Sequence, residues 1–342
     1  MTTLPKHLAG LNSAFGKDMS QEALLADVNA LIAPVQRQLE QRAPASPLRP
    51  VVLVLGPPRS GTTLVSQLIT TSRLFGTVCN LAARFWEAPA FGLLLAQALG
   101  ISEETASHFT SRRGVTEGWG EASEFGYFWN RYFDLGQDTH ALDEGARARF
   151  DRAGLCRSVA AMEAVVLRPM AFKNNTWFTF HADLLSEVFP AVVLVACRRD
   201  PFFVAQSMYM QRLDLYGDAS RWWSVRPPRY AEIVNLSPVD QVAVQALSIA
   251  AEMERSLARV REATVVDAAY PRLVVEPRRV LREIATAAGL REEEIASGVE
   301  RVPQQFTSTD VLKLPPDVAR DLRGAVDRFT DAASGSITAH HL

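Results

Sequence analysis

Residues 51–71 read VVLVLGPPRSGTTLVSQLITT. The run Val51-Val52-Leu53-Val54-Leu55 is too short for a helix and has no polar alternation, so it predicts a strand buried on both faces of a parallel sheet. Gly56-Pro57-Pro58-Arg59-Ser60-Gly61-Thr62-Thr63-Leu64 then follows as a turn with glycines, and after it comes the helical run from Val65 to Thr71. A strand, a glycine turn and a helix N-terminus form a nest of backbone N–H groups that, helped by the helix dipole, holds an anion. The spacing from Gly56 to Gly61 matches the Walker A frame, but Thr62 stands at the place of its lysine. The charge that a nucleoside triphosphatase sets on the β- and γ-phosphates is therefore missing there. Arg59 supplies a cation inside the loop instead. The alternative is an ordinary strand-to-helix turn capped by Ser60 or Thr62, which does not need Arg59 and two threonines together.

Outward from this stretch the same grammar repeats. Val192-Val193-Leu194-Val195-Ala196 follows a helical stretch at 182–189, and Thr264-Val265-Val266 follows a long helical segment from about 240 to 261. Strands alternating with helices predict an α/β fold, a P-loop-like parallel sheet flanked by helices. Upstream, Leu24, Leu25, Val28, Leu31, Ile32, Val35 and Leu39 recur at helical spacing with Pro34 among them, which predicts an amphipathic, kinked helix in an N-terminal extension spanning 1–48. Two aromatic-rich stretches, 85–132 and 213–237, lack strand signals and read as insertions or a lid around an acceptor pocket. No repeat or composition break marks a second domain, so 1–342 is expected to be one domain with its core in 50–315.

Composition narrows the function classes. The 342 residues carry 36 Lys and Arg against 38 Asp and Glu, a net charge of −2, so no basic surplus is available for a nucleic-acid backbone. Cys79, Cys156 and Cys197 show no CxxC spacing, which suggests neither a disulfide framework nor a zinc site and fits a reducing compartment. No apolar run approaches the roughly 20 residues of a membrane span, and the opening segment has no signal-like core, so the expected location is cytoplasmic.

The loop Pro58-Arg59-Ser60-Gly61-Thr62-Thr63-Leu64 resembles the 5′-phosphosulfate loop of sulfotransferases that use 3′-phosphoadenosine 5′-phosphosulfate (PAPS). A second signature follows the strand at 192–196, in Cys197-Arg198-Arg199-Asp200-Pro201-Phe202-Phe203-Val204-Ala205-Gln206-Ser207. In that family an Arg leaving the strand and a Ser eight residues later hold the 3′-phosphate, a pattern matched by Arg199 and Ser207. The guanidinium fork and the hydroxyl suit a terminal phosphate. Read without the resemblance, Arg199-Asp200-Pro201 is a helix start with Asp near the N-cap and Pro at N1.

Phe172-Lys173-Asn174-Asn175 is similar to the family's Lys-containing segment, and Lys173 stands 26 residues before Arg199, as in tyrosylprotein sulfotransferases. Tyr270-Pro271-Arg272-Leu273 resembles a segment near the adenine, without that segment's two acids. The tail 307–313, ending in Lys313, resembles a late nucleotide-binding segment. The resemblance spans roughly 50–315. It implies PAPS as donor and PAP as product, with no metal, and it implies Arg59, Ser60, Gly61, Thr62, Thr63, Arg199, Ser207, Tyr270 and Lys313 as nucleotide contacts.

Sulfuryl transfer needs an acceptor deprotonated as it attacks, and cations for the charge that develops on the departing phosphate and the equatorial oxygens. Arg59 and Lys173 are the cations. The base is not the family's usual one, because Asn175 stands where cytosolic sulfotransferases have a His, and Cys79-Asn80 stands near the Glu of tyrosylprotein sulfotransferases. Glu117, Glu121 and Glu124 precede Phe125-Gly126-Tyr127-Phe128-Trp129. A carboxylate desolvated among aromatics gains basicity, which favours Glu124, with a structural ion pair as its alternative. His181 is the second candidate, with a cap or a packed ring as its alternative. Trp86, Trp119, Tyr127, Trp129, Trp222, Trp223 and Tyr230 either line an acceptor pocket or fill the core.

The expected activity is sulfuryl transfer from PAPS to a hydroxyl or amine of a small-molecule, natural-product or carbohydrate acceptor. A P-loop small-molecule kinase and a non-catalytic PAP-binding protein are the alternatives. Nucleic acid and membrane are not expected partners, and a homodimer is compatible with this reading.

Overall fold

A computed structural model describes residues 19–101, 109, 118–133 and 138–334. Its centre is a four-stranded, all-parallel sheet in the order β2-β1-β3-β4, with β1 at Val51–Leu55, β2 at Ala171–Lys173, β3 at Val192–Arg198 and β4 at Thr264–Ala269. The register sets Leu53 against Phe172 on one side and Leu194 on the other, and Val195 against Val266. Three of the strands lie where the apolar runs predict them. β2 was not anticipated as a strand, because its three residues carry too little pattern to separate a short edge strand from a loop.

Side-chain alternation along the two central strands divides the core between the faces of the sheet. Val51, Leu53, Leu55, Val192, Leu194 and Ala196 pack into one cluster with Leu155, Val159 and Met162 of the Arg152–Val166 helix. Val52, Val54, Val193, Val195 and Cys197 pack into the other with Val65, Leu68 and Ile69 of the Thr62–Ser72 helix and Val280, Leu281 and Ile284 of the Pro277–Ala287 helix. Every side chain of β1 is buried, and shortening Leu53 to Ala should cost about 2 to 5 kcal/mol through lost transfer energy and the cavity left behind. A third cluster joins the helices Pro201–Tyr216, Pro238–Ala258 and Pro316–Ser334 through Met208, Ile249, Leu322 and Ala325. The leading helix runs Met19–Arg42.

The structure corrects the reading of 85–132 as an insertion apart from the core. Trp86, Phe125, Phe128 and Trp129 are fully or almost fully buried in the first cluster, where Trp129 meets Phe172 and Phe178 edge to face at centroid distances of 5.4 and 4.7 Å. Trp119, by contrast, is exposed. The aromatics of this stretch mostly replace aliphatic filling on one face of the sheet. The second stretch is pinned to its neighbours by Arg212, which donates to Ala219 O and to Oε1 of Gln241 and of Gln245 and lies over the Trp222 ring. Among the described residues no helix is long and apolar enough to cross a membrane.

Candidate functional site

In open parallel sheets, groups that bind ligands gather beyond the carboxyl ends of the strands, where the order of connections reverses. Each strand here delivers one element to that edge. β1 runs into Gly56, β2 ends at Lys173, β3 is followed by Arg199, and β4 runs into the Tyr270–Val275 helix.

The loop after β1 turns sharply because two positions need glycine. Gly56 has φ 150°, and a Cβ there would lie 2.6 Å from the carbonyl oxygen of Cys197, while Gly61 has φ 101°. Arg59 adopts a left-handed φ of 71°, a conformation that costs a non-glycine residue energy and is retained where its surroundings fix it. Two side chains from the segment after β2 supply the bracing. Asn175 Nδ2 donates to Gly56 O at 2.6 Å and lies 3.2 Å from Thr62 Oγ1, and Thr179 Oγ1 donates to the same carbonyl at 3.1 Å. The first helical hydrogen bond runs from Val65 N to Gly61 O at 3.0 Å, so the amides of Thr62, Thr63 and Leu64 have no carbonyl partner within the helix. Ser60 Oγ is buried and has no hydrogen-bond partner. A buried hydroxyl without a partner, one residue before the N-cap of a helix, is a feature expected of a loop shaped around an anion.

Arg59, Arg199 and Ser207 meet on one side of this loop. Arg59 Nε donates to Ser207 Oγ at 2.8 Å, and Arg199 Nη1 donates to the backbone carbonyl of Arg59 at 2.7 Å. Burial, and then the neighbouring charge of Arg199, lower the pKa of Arg59 below the ordinary arginine value. Two cations held this close lower their energy when an anion sits between them. Arg199 lies 4.1 Å over the Tyr270 ring, and Tyr270 Oη in turn meets Thr309 Oγ1 at 2.7 Å. Arg198 points elsewhere, to Glu254 and Asp267, so only one of the two adjacent arginines serves the loop. Asp200 caps the Pro201–Tyr216 helix, with its side chain accepting from Phe202 N, so the local helix-start reading of that motif also holds.

Lys173 and Glu124 form an ion pair in which the lysine is 7% exposed and the glutamate 48%. The expectation that Glu124 would be desolvated among aromatics is corrected: Phe125 turns inward at a φ of 53°, while the Glu124 side chain remains half in solvent. Its backbone carbonyl accepts from Asn174 Nδ2 at 2.9 Å, which ties the aromatic stretch to the end of β2. Glu121 is buried, and Glu117 lies outside the described residues.

His181 does not join the site. Its Nδ1 lies 2.7 Å from Trp177 O, and its Nε2 accepts from Leu142 N at 3.0 Å, so the backbone occupies both ring nitrogens. Burial holds its pKa down to about 4. The ring is a packed structural element. Lys313 is exposed, and it is the backbone N–H that anchors it, donating to Gln206 Oε1 at 2.9 Å. Thr63 is half-buried in the first turn of its helix.

Sequence reasoning missed three contributors. Asn175 was noted only for not being His, and its role is to brace the loop. Thr179 carried no motif. Asp310 lay within the tail quoted for Lys313, yet its carboxylate takes Arg199, with Oδ1 2.7 Å from Nε and 2.6 Å from Nη2.

Comparison with known proteins bears on the family and the fold. The sequence matches the Sulfotransferase family over residues 50–294. The fold is similar to the sulfotransferase STF9 of Mycobacterium avium, with a TM-score of 0.53 and 18% identity over 91% of this chain and 82% of that one. It also aligns with sulfotransferase STF1 of Mycobacterium tuberculosis H37Rv, with a TM-score of 0.49 and 16% identity over 92% of this chain and 88% of that one. No curated protein sequence matches. The family match covers more than two-thirds of the chain and takes in β1, the loop after it, Arg199 and Tyr270, and on that ground the chain belongs to the Sulfotransferase family.

Proposed function

We propose that the chain transfers a sulfuryl group from PAPS to a hydroxyl or amine of a small-molecule, natural-product or carbohydrate acceptor. The observation that carries this reading is the convergence of Arg59, Arg199 and Ser207 beside a loop whose Ser60 hydroxyl is buried without a partner. In this reading the nest from Gly56 to Thr63 holds the 5′-phosphosulfate, and Arg199 with Ser207 holds the 3′-phosphate. When bound, PAPS supplies an activated sulfuryl group and a phosphate leaving group.

The remaining work falls to the chain's own residues. Arg59 and the helix amides stabilise charge at the equatorial oxygens, and Lys173, at the end of β2, offers an ammonium to the departing phosphate oxygen. Glu124 is the nearest carboxylate to that ammonium and takes the acceptor's proton once Lys173 turns to the donor. A carboxylate reachable from solvent suits this task, because the acceptor must approach it from outside.

The test has two arms. PAP should raise the melting temperature in the presence of EDTA, and a panel of hydroxyl and amine acceptors with PAPS should give sulfated product by mass spectrometry. Stabilisation without product from any acceptor would favour a non-catalytic PAP-binding protein, and a requirement for Mg²⁺ would favour phosphoryl transfer.

A further inference from the structure

We propose that Asp310 is an internal competitor for the phosphate-binding edge of Arg199: the incoming 3′-phosphate displaces its carboxylate, and the carboxylate returns to the guanidinium as PAP departs. This rests on the donor assignment made above. The argument begins with the donors of one side chain. A guanidinium binds phosphate or carboxylate strongly through two parallel N–H groups on one edge. The Nε and Nη2 edge of Arg199 is taken by Asp310 Oδ1, at 2.7 and 2.6 Å. On the other side Nη1 donates to Arg59 O at 2.7 Å, and Nη2 also donates to Thr309 Oγ1 at 3.0 Å. Neither edge is free for bidentate contact.

A phosphate arriving here must displace a partner, and electrostatics selects which one. Arg59 O and Thr309 Oγ1 are neutral. Asp310 is an anion, and two anions on one buried guanidinium repel each other. Arg199 itself is not free to move away, since it is 7% exposed, lies on the Tyr270 ring and is tied to the loop backbone.

The backbone around Asp310 is held as well. Thr309 N donates to Tyr270 Oη at 3.0 Å, Val311 O accepts from Gln206 Nε2 at 2.9 Å, and Lys313 N donates to Gln206 Oε1 at 2.9 Å. Both neighbours being pinned, the exchange is a rotation of the Asp310 side chain into solvent, to which it is already 18% exposed. The ion pair thus keeps the edge organised without ligand, and it offsets part of the affinity for PAP, which favours release of the product.

Asp310→Asn and Asp310→Ala remove the competing charge from a loop residue outside the core. Both should bind PAP at least about tenfold more tightly by calorimetry, equivalent to about 1.4 kcal/mol. Adenosine 5′-phosphosulfate, which lacks the 3′-phosphate, should bind the variants and the wild type equally. If the wild type binds PAP and the variants bind it equally or more weakly, Asp310 only orients Arg199 and the proposal falls while the donor assignment stands. A gain of the same size for adenosine 5′-phosphosulfate would also overturn it. If neither the wild type nor the variants bind PAP at millimolar concentration, the donor assignment falls and takes Asp310 with it.

Discussion

Arg199 and Lys173 are equally buried, and each is paired with a carboxylate from a distant part of the chain, yet the two pairs are built differently. Arg199 is fixed by an aromatic ring, a loop carbonyl and Thr309 as well as by Asp310, whose own exposure is 18%. Lys173 has Glu124 alone among the described residues, and Glu124 is 48% exposed. Water can take over the half-exposed Glu124, whereas the buried Lys173 ammonium needs another anion once that carboxylate leaves, so the pair exchanges when a second anion is at hand. The contrast separates two tasks. In the proposed reading, the backbone and the arginine of the nucleotide side are organised before any ligand arrives, with only the Asp310 side chain left to exchange, because pre-ordering lowers the cost of binding. In the same reading, the side of Lys173 and Glu124 is held by a contact that can be exchanged, as groups that change partners during sulfuryl transfer require.

The largest expected effect tests the exchangeable side. Glu124→Gln keeps shape and hydrogen bonding but removes the proton acceptor. It should lower kcat on a hydroxyl acceptor by about 10²- to 10⁴-fold while PAP affinity is nearly unchanged. Near-normal turnover would reduce Glu124 to a holder of Lys173. An amine acceptor that arrives unprotonated should show a smaller loss, so comparing the two acceptor types separates proton removal from positioning.

The organised side should fail in binding instead. Arg199→Ala should weaken PAP by roughly 2 to 4 kcal/mol, the scale for removing one member of a buried charge pair. Adenosine 5′-phosphosulfate should be little affected, and equal losses for both ligands would assign Arg199 to the 5′ side or to folding.

His181 extends the contrast to pH. Its folded pKa is held to about 4 by burial, against about 6.5 in an unfolded chain. Above pH 6.5 the ring is neutral in both states and costs nothing. As pH falls from 6.5 toward 4 the unfolded chain takes up a proton that the folded chain does not, so stability is lost, by about 2 kcal/mol at pH 5. His181→Gln can still accept from Leu142 N and donate to Trp177 O but does not titrate. Urea unfolding at pH 7.5 and pH 5 should therefore show a smaller acid loss in the variant. The same loss in both proteins would mean that the folded state accommodates the charged ring.

The parts of the site that could be read from sequence share a physical cause. Val51–Leu55 and Val192–Ala196 announce themselves because a strand buried on both faces leaves no polar position. Arg59 was legible as a cation standing inside a glycine turn between a buried strand and a helix, whereas Arg199 and Ser207 were legible through their resemblance to a family motif in which a Ser follows the Arg by eight residues. Thr179 and Asp310 were not, because a brace needs only a hydrogen-bonding atom in the right place, and Gly56 lies 123 residues from Thr179 in sequence. The solvent exposure of Glu124 could not be read either, since it depends on Phe125 turning inward at a left-handed backbone position, which sequence pattern does not encode.

The smallest expected effect concerns those braces and asks how redundant the organised side is. Asn175 Nδ2 and Thr179 Oγ1 both donate to the carbonyl of Gly56, and Asn175 also meets Thr62 Oγ1. Asn175→Ala leaves Gly56 O with one donor and Thr62 without its side-chain partner, so it should cost about 1 kcal/mol of stability, the net value of a neutral hydrogen bond. Thr179→Val removes the other donor at nearly constant volume and also the acceptor of the Gly56 N–H, 3.2 Å away, so it should cost somewhat more than Asn175→Ala although Gly56 O keeps Asn175. The double variant leaves a buried carbonyl at a φ of 150° with neither donor, and its loss should exceed the sum of the single losses by more than about 0.5 kcal/mol. Loss of PAP affinity should follow the same order if the braces hold the amides in place for the phosphosulfate. Strict additivity in stability and affinity would show that the two side chains act separately, and that the shape of the loop is set by its glycines and by Arg59 instead.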